Sequence, residues 1–443
     1  MNKKDHSYLL KILCPLAMMT FFVPLLTSCS NNGSITVANF ESYMSPQLMN
    51  KIRSQIGSSL SYVYYGTNED IEMKFDRYYD VAIPSTYEVI NLLNGDELLK
   101  IDWPKFAIPG VNNADDAYAL LFSDTTKAYL DNVNSYVENT FPQWSNFNIL
   151  NYAIPYFLQD WSFAYKGDEI SGLENVHNWN DLIHQINATN LDDRFKPQKN
   201  PKMSMVDDSR SVYSMCRLLE TGNNVNPPDG NVSIDQFKNT YRKMTDQYNN
   251  GKSYFYLNTD SANVLYTIAD PNGSNGGIAY NGDLLYAALG GGNSEWDDQW
   301  NDDNFHIVKP DASPVALDMM VINKRVAKKS NDKVNDIYQI VKNICLDGAT
   351  SNDISLTDDN GNYVYGPMMN FDFVLYTSTL KKIDDYVIDP QGYFSEYSDS
   401  DLLKKIYTID PDRFTNNTLI EQPISNIDKS NMYEAYLRQK ESL

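Results

Sequence analysis

Apolar positions in the first hundred residues alternate between the two-residue period of strands and the longer period of helices. The segments 35–40, 60–66 and 80–84 are apolar or Tyr-rich and predict strands. Between the first two, Ser45 and Pro46 are suited to the N-cap and first position of a helix. Three strand–helix units in so short a stretch predict a parallel sheet covered by helices, and therefore an α/β fold.

The same alternation returns later in the chain. We expect further strands over 152–157, 201–207, 276–280 and 315–324, and helices over 178–186, 208–220 and 333–348. Residues 110–150 are polar, rich in Asn and without a clear period, which predicts irregular structure there. No internal repeat is evident.

The N-terminus has the pattern of an export signal. Residues 1–28 comprise a positively charged leader, an apolar stretch too short to span a membrane comfortably, and small residues before Cys29. The segment Leu26-Thr27-Ser28-Cys29 looks like a bacterial lipobox, which implies cleavage before Cys29, lipid on its sulfur and a tether over 29–33. An uncleaved membrane anchor is the alternative. In both cases the rest of the chain lies outside the cytoplasm, at a membrane face.

The net charge narrows the class of ligand, and the cysteine content bears on disulfide bonding. The formal net charge is -22, from 36 basic and 58 acidic residues, which argues against nucleic acid and favours cationic ligands, although an acidic surface also serves solubility. Cys216 and Cys345 lie in apolar helical patterns, so two buried free thiols are expected, with one disulfide bridge as the alternative.

Sequence motifs for catalysis are weak. The four histidines lack metal-ligand spacing, and the chain has neither a G-x-S-x-G motif nor a phosphate-binding loop. Asp207 and Asp208 could form a glycosidase pair, but adjacent acids at a helix start more often cap the helix. The segments 290–304 and 355–366 read as acidic turns without the spacing of a calcium loop. We therefore expect a binding protein, without a metal or other cofactor, rather than an enzyme.

One arrangement recurs, an aromatic or acidic side chain at the end of a strand. Its members are Tyr43, Tyr87, Asp208, Tyr280 and Asp318. Ligands of open α/β sheets bind at such strand ends, and tyrosine faces with carboxylates suit an organic cation. The alternative for each tyrosine is ordinary packing, and for Ser85 or Thr86, which precede Tyr87, simple capping of the next helix.

Several stretches of the chain resemble the spermidine/putrescine-binding proteins that serve ABC importers. The similar segments, spread over residues 35–385, are NFESYMSPQLM, YDVAIPSTYEV, YAIPYF, MVDDSRSVYSM and IAYNGD. The resemblance implies two hinge-linked α/β lobes with mostly parallel sheets, a ligand cleft between them, and an ABC permease with a separate ATPase as partner. It places lobe 1 at 34–153 plus 316–385 and lobe 2 at 154–315 plus 386–443, with extra length near 110–150, 285–310 and 350–370.

The resemblance also implies a set of ligand-binding residues. Those matched to the family's cleft positions are Phe40, Tyr43, Ser85, Tyr87, Asp208, Ser211, Tyr280, Asp318 and Tyr376, and Glu41 is added as a neighbouring acid. The chain departs from the family in three places: Phe40 replaces a Trp, Ser211 replaces a Glu and Ala316 replaces a second Trp.

These departures leave more than one function open. A polyamine such as spermidine or putrescine is the expected ligand. A sugar, an amino-acid derivative or a thiamine-like molecule on the same fold is the first alternative, favoured by Ser211 and Ala316 and opposed by Asp208 and Asp318. A surface adhesin or structural lipoprotein that makes contact through the acidic segments 290–304 and 355–366 is the second.

Overall fold

The structure is a computed structural model that describes residues 34–166, 168–187, 203–245, 253, 255–258, 263–265, 276–289, 305–397, 399–414 and 417–441. The strands are β1 Ser34–Phe40, β2 Ser59–Tyr65, β3 Val81–Ala82, β4 Ala153–Lys166, β5 Met203–Val206, β6 Phe255–Asn258, β7 Gly276–Tyr280, β8 Phe305–Val308, β9 Val315–Ile322 and β10 Thr377–Ser378. The predicted export signal and lipid site, residues 1–33, lie outside the described residues, as does the predicted acidic turn 290–304.

The α-helices follow the same order along the chain. They are α1 Pro46–Gln55, α2 Asn68–Tyr78, α3 Thr86–Asn94, α4 Ala114–Leu121, α5 Asp124–Thr140, α6 Trp179–Asn187, α7 Ser209–Thr221, α8 Ile234–Tyr241, α9 Asn281–Ala288, α10 Asn331–Cys345, α11 Gly366–Val374, α12 Lys381–Ile388, α13 Ser400–Tyr407 and α14 Asn426–Lys440. Within the described ranges, every helix is too short or too polar to cross a bilayer.

The strands form one continuous sheet in the order β2-β1-β3-β9-β4-β7-β5-β6, with β8 and β10 also paired to β4. The β1–β2, β1–β3, β5–β6 and β5–β7 pairs are parallel. Among the described strands, every antiparallel pair involves β4 or β9. The predicted α/β fold is confirmed. The strands of the strand–helix units are parallel, as expected. The strands β4 and β9, which cross between the two halves, are antiparallel to their neighbours.

Strand β4 joins the two halves of the sheet. Its residues Ala153–Asp160 pair with β9, and Trp161–Tyr165 pair with β7. The sequence predicted a strand over 152–157 with a break at its proline; the structure accommodates Pro155 at a break in register before Phe157 and continues the strand to Lys166. Proline is tolerated at such irregularities because the missing N–H is not needed there.

Buried side chains form two hydrophobic cores. The first surrounds β1, β3 and β9 with α1, α3, α5 and α10, and the second surrounds β5 and β7 with α6, α7, α8 and α14. Ile406 and Tyr407 of α13 pack in the first core, although the predicted boundaries assign them to lobe 2. Cys216 and Cys345 are buried, free thiols, as expected.

Residues 110–150 are more regular than predicted. Asn113 accepts hydrogen bonds from the first backbone N–H groups of α4, and Ser123 caps α5. Leu130, Val133 and Val137 of α5 are buried on one face at helical spacing. The expectation of irregular structure was wrong because the many polar residues cover the outer faces of two capped amphipathic helices.

A buried ion cluster lies where β4 changes partner. Asp160 is inaccessible to solvent, and its Oδ2 lies 2.6 Å from Arg413 Nη1 and 3.2 Å from Lys309 Nζ. Burial lowers the pKa of Lys309, and the charge of Asp160 opposes this shift. The cluster ties β4 to the segment after β8 and to the segment after α13.

We predict that Asp160→Asn destabilises the protein by about 3 kcal/mol or more, because it leaves two buried cations without a counter-charge. Urea unfolding at neutral pH measures the change. The matched control is Asp385→Asn, which removes an exposed carboxylate 2.8 Å from Lys381 and should change the free energy of unfolding by less than about 0.5 kcal/mol. Equal effects of the two substitutions would contradict a structural role for the cluster.

Candidate functional site

The predicted binding residues gather at the carboxyl ends of the strands. Tyr43 follows β1, Tyr87 follows β3, Asp208 follows β5 and Tyr280 ends β7. Asp318, in contrast, lies in the middle of β9, opposite Phe157 of β4, so the prediction that it stands at a strand end was wrong. We call these five residues, with Ser85 and Tyr376, the strand-end site.

Asp318 is the most buried acid of this site. Its carboxylate accepts hydrogen bonds from Ser85 Oγ at 2.6 Å and Gln159 Nε2 at 2.9 Å, and the side chain is 1% exposed. Burial raises its pKa to about 6, although these hydrogen bonds favour the charged form. Within the described part of the chain, no lysine or arginine pairs with it. A cation placed beside Asp318 would therefore meet a carboxylate that is not neutralised.

The hydroxyls of Ser85 and Thr86 form hydrogen bonds with β9 instead of capping α3. Ser85 occupies the N-cap position without a side-chain capping bond, since its hydroxyl donates to Asp318. Asn68 holds Ser85 twice, through its Nδ2 and its Oδ1, and Thr86 Oγ1 donates to the carbonyl of Leu317. The capping alternative was wrong for both hydroxyls. Sequence reasoning also missed Asn68 and Gln159, whose positions along the chain carry no recognisable motif.

Tyrosine rings surround the carboxylate of Asp318. The ring of Tyr43 lies 5.1 Å from that of Tyr376 and 5.2 Å from that of Tyr156, both in edge-to-face geometry. Burial raises the pKa of Tyr43 and Tyr376 well above the usual value, and the charge of Asp318 adds to both shifts. The phenols therefore remain neutral and offer ring faces and O–H groups to a ligand.

Close packing against Tyr376 explains the glycine in the Tyr-Asn-Gly turn. A Cβ atom at Gly282 would lie 2.3 Å from the Tyr376 ring. A glycine at this position therefore allows α9 to approach the ring directly. Tyr280, which precedes the turn, is half-buried, with its ring 6.0 Å from that of Trp161.

Arg210 and Glu421 stand at the other end of the site and were not anticipated from sequence. The guanidinium carbon of Arg210 lies 5.6 Å from the centre of the Tyr87 ring, and its Nε is 3.7 Å from Glu421 Oε1. Arg210 is buried and Glu421 is half-buried, and this burial raises the pKa of Glu421. Asp208 accepts a hydrogen bond from the backbone N–H of Ser211, so it caps α7 as the alternative reading expected.

The remaining predicted residues differ in how far they approach this site. Phe40 packs against Tyr65 at 4.6 Å and near Tyr43 at 6.2 Å, and Ser211 is buried in the first turn of α7. Glu41, in contrast, is exposed on the turn after β1. The structure thus places Phe40 in the aromatic wall and Glu41 on the surface.

A small cavity lies beside Tyr280 in the strand-end site. It measures about 10 Å³, with Trp161 and Ile278 among its lining residues, and has room for roughly one water molecule. Pockets for small ligands measure roughly 300–1,000 Å³. No cluster of metal-ligating side chains was found in the portion of the chain that is described.

A family model matches nearly the whole chain. It covers residues 3–409 and describes a hypothetical lipoprotein family, the MG045 family. Among curated proteins, the spermidine/putrescine-binding periplasmic protein of Escherichia coli K12 is 23% identical over 214 residues, which are 47% of this chain and 51% of that protein. The chain thus spans about half the length of the curated relatives it matches. The resemblance inferred from the sequence motifs is confirmed.

Solved structures agree on the fold. The spermidine/putrescine ABC transporter substrate-binding protein of Streptococcus pneumoniae superposes with a TM-score of 0.53 at 16% identity, over 93% of this chain and 99% of that one. Thiaminase I of Bacillus thiaminolyticus superposes with a TM-score of 0.50 at 13% identity, over 93% and 99% of the two chains. At such identities the likeness establishes the two-lobed binding-protein fold alone.

We predict that the ionisation of Asp318 makes the protein less stable as pH rises. Because its folded pKa is raised from 3.8 to about 6, its contribution is fully present below about pH 4 and is lost as the pH rises through 6. Between about pH 4 and 8 the wild type should lose about 3 kcal/mol relative to Asp318→Asn. Urea unfolding of both proteins across this range measures the difference; a difference that does not change with pH would contradict the prediction.

Proposed function

The chain belongs to the hypothetical lipoprotein (MG045) family, and from that membership we propose that it is the extracytoplasmic solute-binding lipoprotein of an ABC importer. Its cargo is a polyamine of the spermidine or putrescine type, held between two lobes. The curated relatives are named as periplasmic binding proteins, which supports a binding role and a position outside the cytoplasm. It carries out no chemistry on its ligand.

The observation that supports this proposal most directly is the environment of Asp318. A buried carboxylate is stabilised by hydrogen bonds from Ser85 and Gln159 and surrounded by aromatic rings, while its charge is not balanced by a described cation. An ammonium group supplies the missing charge and donates charge-assisted hydrogen bonds, and the tyrosine faces attract it and cover the adjacent methylenes. A neutral sugar would leave the carboxylate uncompensated.

Each predicted site residue has a role in this proposal. Asp318 and Asp208 bind ammonium groups, Ser85 orients Asp318, and Ser211 leaves space at the start of α7. The aromatic wall consists of Phe40, Tyr43, Tyr87, Tyr280 and Tyr376. Glu41, which is exposed on its turn, would act at the mouth of the cleft.

A role in transport further requires a membrane anchor, a hinge between the lobes and partner proteins. We place the lipid on Cys29 after removal of residues 1–28, with residues 29–33 as tether. Lobe 1 comprises 34–153 plus 316–385, and lobe 2 comprises 154–315 plus 386–443. The lobes close on the ligand by a hinge motion and then dock on a permease whose ATPase is a separate chain.

A different small solute remains the second candidate. Ser211 and Ala316 remove an acid and an aromatic wall that the polyamine-binding family has, and this favours a ligand with fewer charges. The adhesin alternative lacks such support, because the acidic turn 355–366 is a small hairpin organised by Asp358, whose Oδ1 accepts the backbone N–H groups of Asn360 and Asn362.

We expect the full-length chain in detergent to bind spermidine or putrescine with micromolar or tighter affinity in isothermal titration. Asp318→Asn should weaken binding by about tenfold or more, because a charge-assisted contact is lost. Asp332→Asn, an exposed acid of α10, is the matched control and should leave affinity unchanged. Absence of heat with both amines, or equal affinity of the Asp318→Asn protein, would contradict the proposal.

A further inference from the structure

Two small buried side chains lie on one face of α7 next to the strand-end site. Ser211 and Ser214 are three residues apart, a spacing that places them on the same side of a helix. Ser211 is 8% exposed and Ser214 is inaccessible. Ser211 also stands where the polyamine-binding family carries an acid. The start of α7 therefore has room for a charged group supplied from elsewhere in the chain.

Glu421 reaches this face from the segment that precedes α14. Ser214 Oγ donates a 2.7 Å hydrogen bond to Glu421 Oε1, and Arg210 Nε lies 3.7 Å from the same oxygen. Its two neighbours in sequence are fixed by one side chain, since Asn226 Nδ2 donates to the carbonyl of Ile420 at 2.8 Å and Asn226 Oδ1 accepts the N–H of Gln422 at 2.8 Å. The position of the carboxylate is thus set by the surrounding structure.

Besides burial, the charge of Glu421 raises the pKa of two tyrosines of the site, Tyr280 and Tyr87. Burial raises the pKa of Tyr280, and Glu421 is the strongest of the charges that add to this effect. Burial and Glu69 raise the pKa of Tyr87, and Glu421 adds to them. The charge of Asp318, on β9, also adds to the raised pKa of Tyr280.

Arg210 balances only part of the negative charge at this end. Its Nη2 is bound to Asn226 Oδ1 and to the carbonyl of Gln422, while its ion pair with Glu421 has no hydrogen bond. Asp208 and Glu69 add negative charge close to Glu421.

We propose that Glu421 joins Asp208 in binding the second ammonium group of the ligand and replaces, from another part of the chain, the acid that is absent at Ser211. The inference rests on the proposed function and makes it more specific. The ligand carries two ammonium groups, one bound at Asp318 and one bound by Glu421 together with Asp208, with its methylenes against Tyr280. The site then prefers diamines and longer polyamines to monoamines of the same length.

The test compares putrescine with butylamine, which has the same four carbons and one ammonium group, on the full-length chain in detergent. Butylamine affinity is measured by competition against putrescine. Glu421→Gln should weaken putrescine binding by about tenfold or more and change butylamine binding by less than about twofold. The matched control is Glu434→Gln, which removes an exposed acid of α14 and should alter neither affinity.

A second variant separates ligand binding from structural support. Adding Ser211→Glu to Glu421→Gln returns an acid to α7 and should restore most of the putrescine affinity, with thermal melting as the check on folding. Equal loss of both amines in Glu421→Gln, an unchanged preference for putrescine, or failure of the rescue in a folded protein would overturn this assignment while Asp318-dependent binding by the wild type still supports the proposed function. A wild type that binds neither amine would overturn both.

Discussion

The fold depends on one strand that belongs to both halves of the molecule. The first part of β4, residues 153–160, pairs with β9 and β10, and the second part, residues 161–166, pairs with β7 and β8, so both cores share a single backbone. Asp160 marks the point where the partners change, and its buried contacts with Arg413 and Lys309 hold two further connections there. These hydrogen bonds and ion pairs therefore hold the two halves together at the crossing strands.

The two ends of the strand-end site are held by different parts of this structure. Asp318, on β9, is held by hydrogen bonds from Ser85, which follows β3, and from Gln159, which lies on β4. Arg210 and Glu421 belong to α7 and to the returning segment near the second core. Tyr87 of α3 and Arg210 of α7 meet across the boundary. The site therefore combines an acid held on the sheet with a charged pair on the opposite half.

The sequence predicted the strand ends well and the polar contacts between distant segments poorly. Tyr43 and Tyr87 could be recognised because strand periodicity ends before them, whereas Asp318 lies in the middle of β9. Gln159 and Glu421 could not, because their partners lie more than a hundred residues away and no local pattern encodes that proximity. The helices within 110–150 were a different case: Asn113 and Ser123 are ordinary caps, and the spacing of Leu130, Val133 and Val137 was present but hidden among polar residues.

Under the proposed function, the raised pKa of Asp318 would couple ligand capture to the acidity of the surroundings. A bound ammonium stabilises the ionised carboxylate, so the pKa of about 6 falls when the site is filled. In a medium more acidic than this value, the incoming cation displaces a proton, and each unit of pH weakens its apparent affinity by up to about tenfold. At neutral pH no proton is exchanged and the full attraction is available. A buried carboxylate held by neutral donors thus acts as an ion exchanger, in which protons and cargo compete for the same charge.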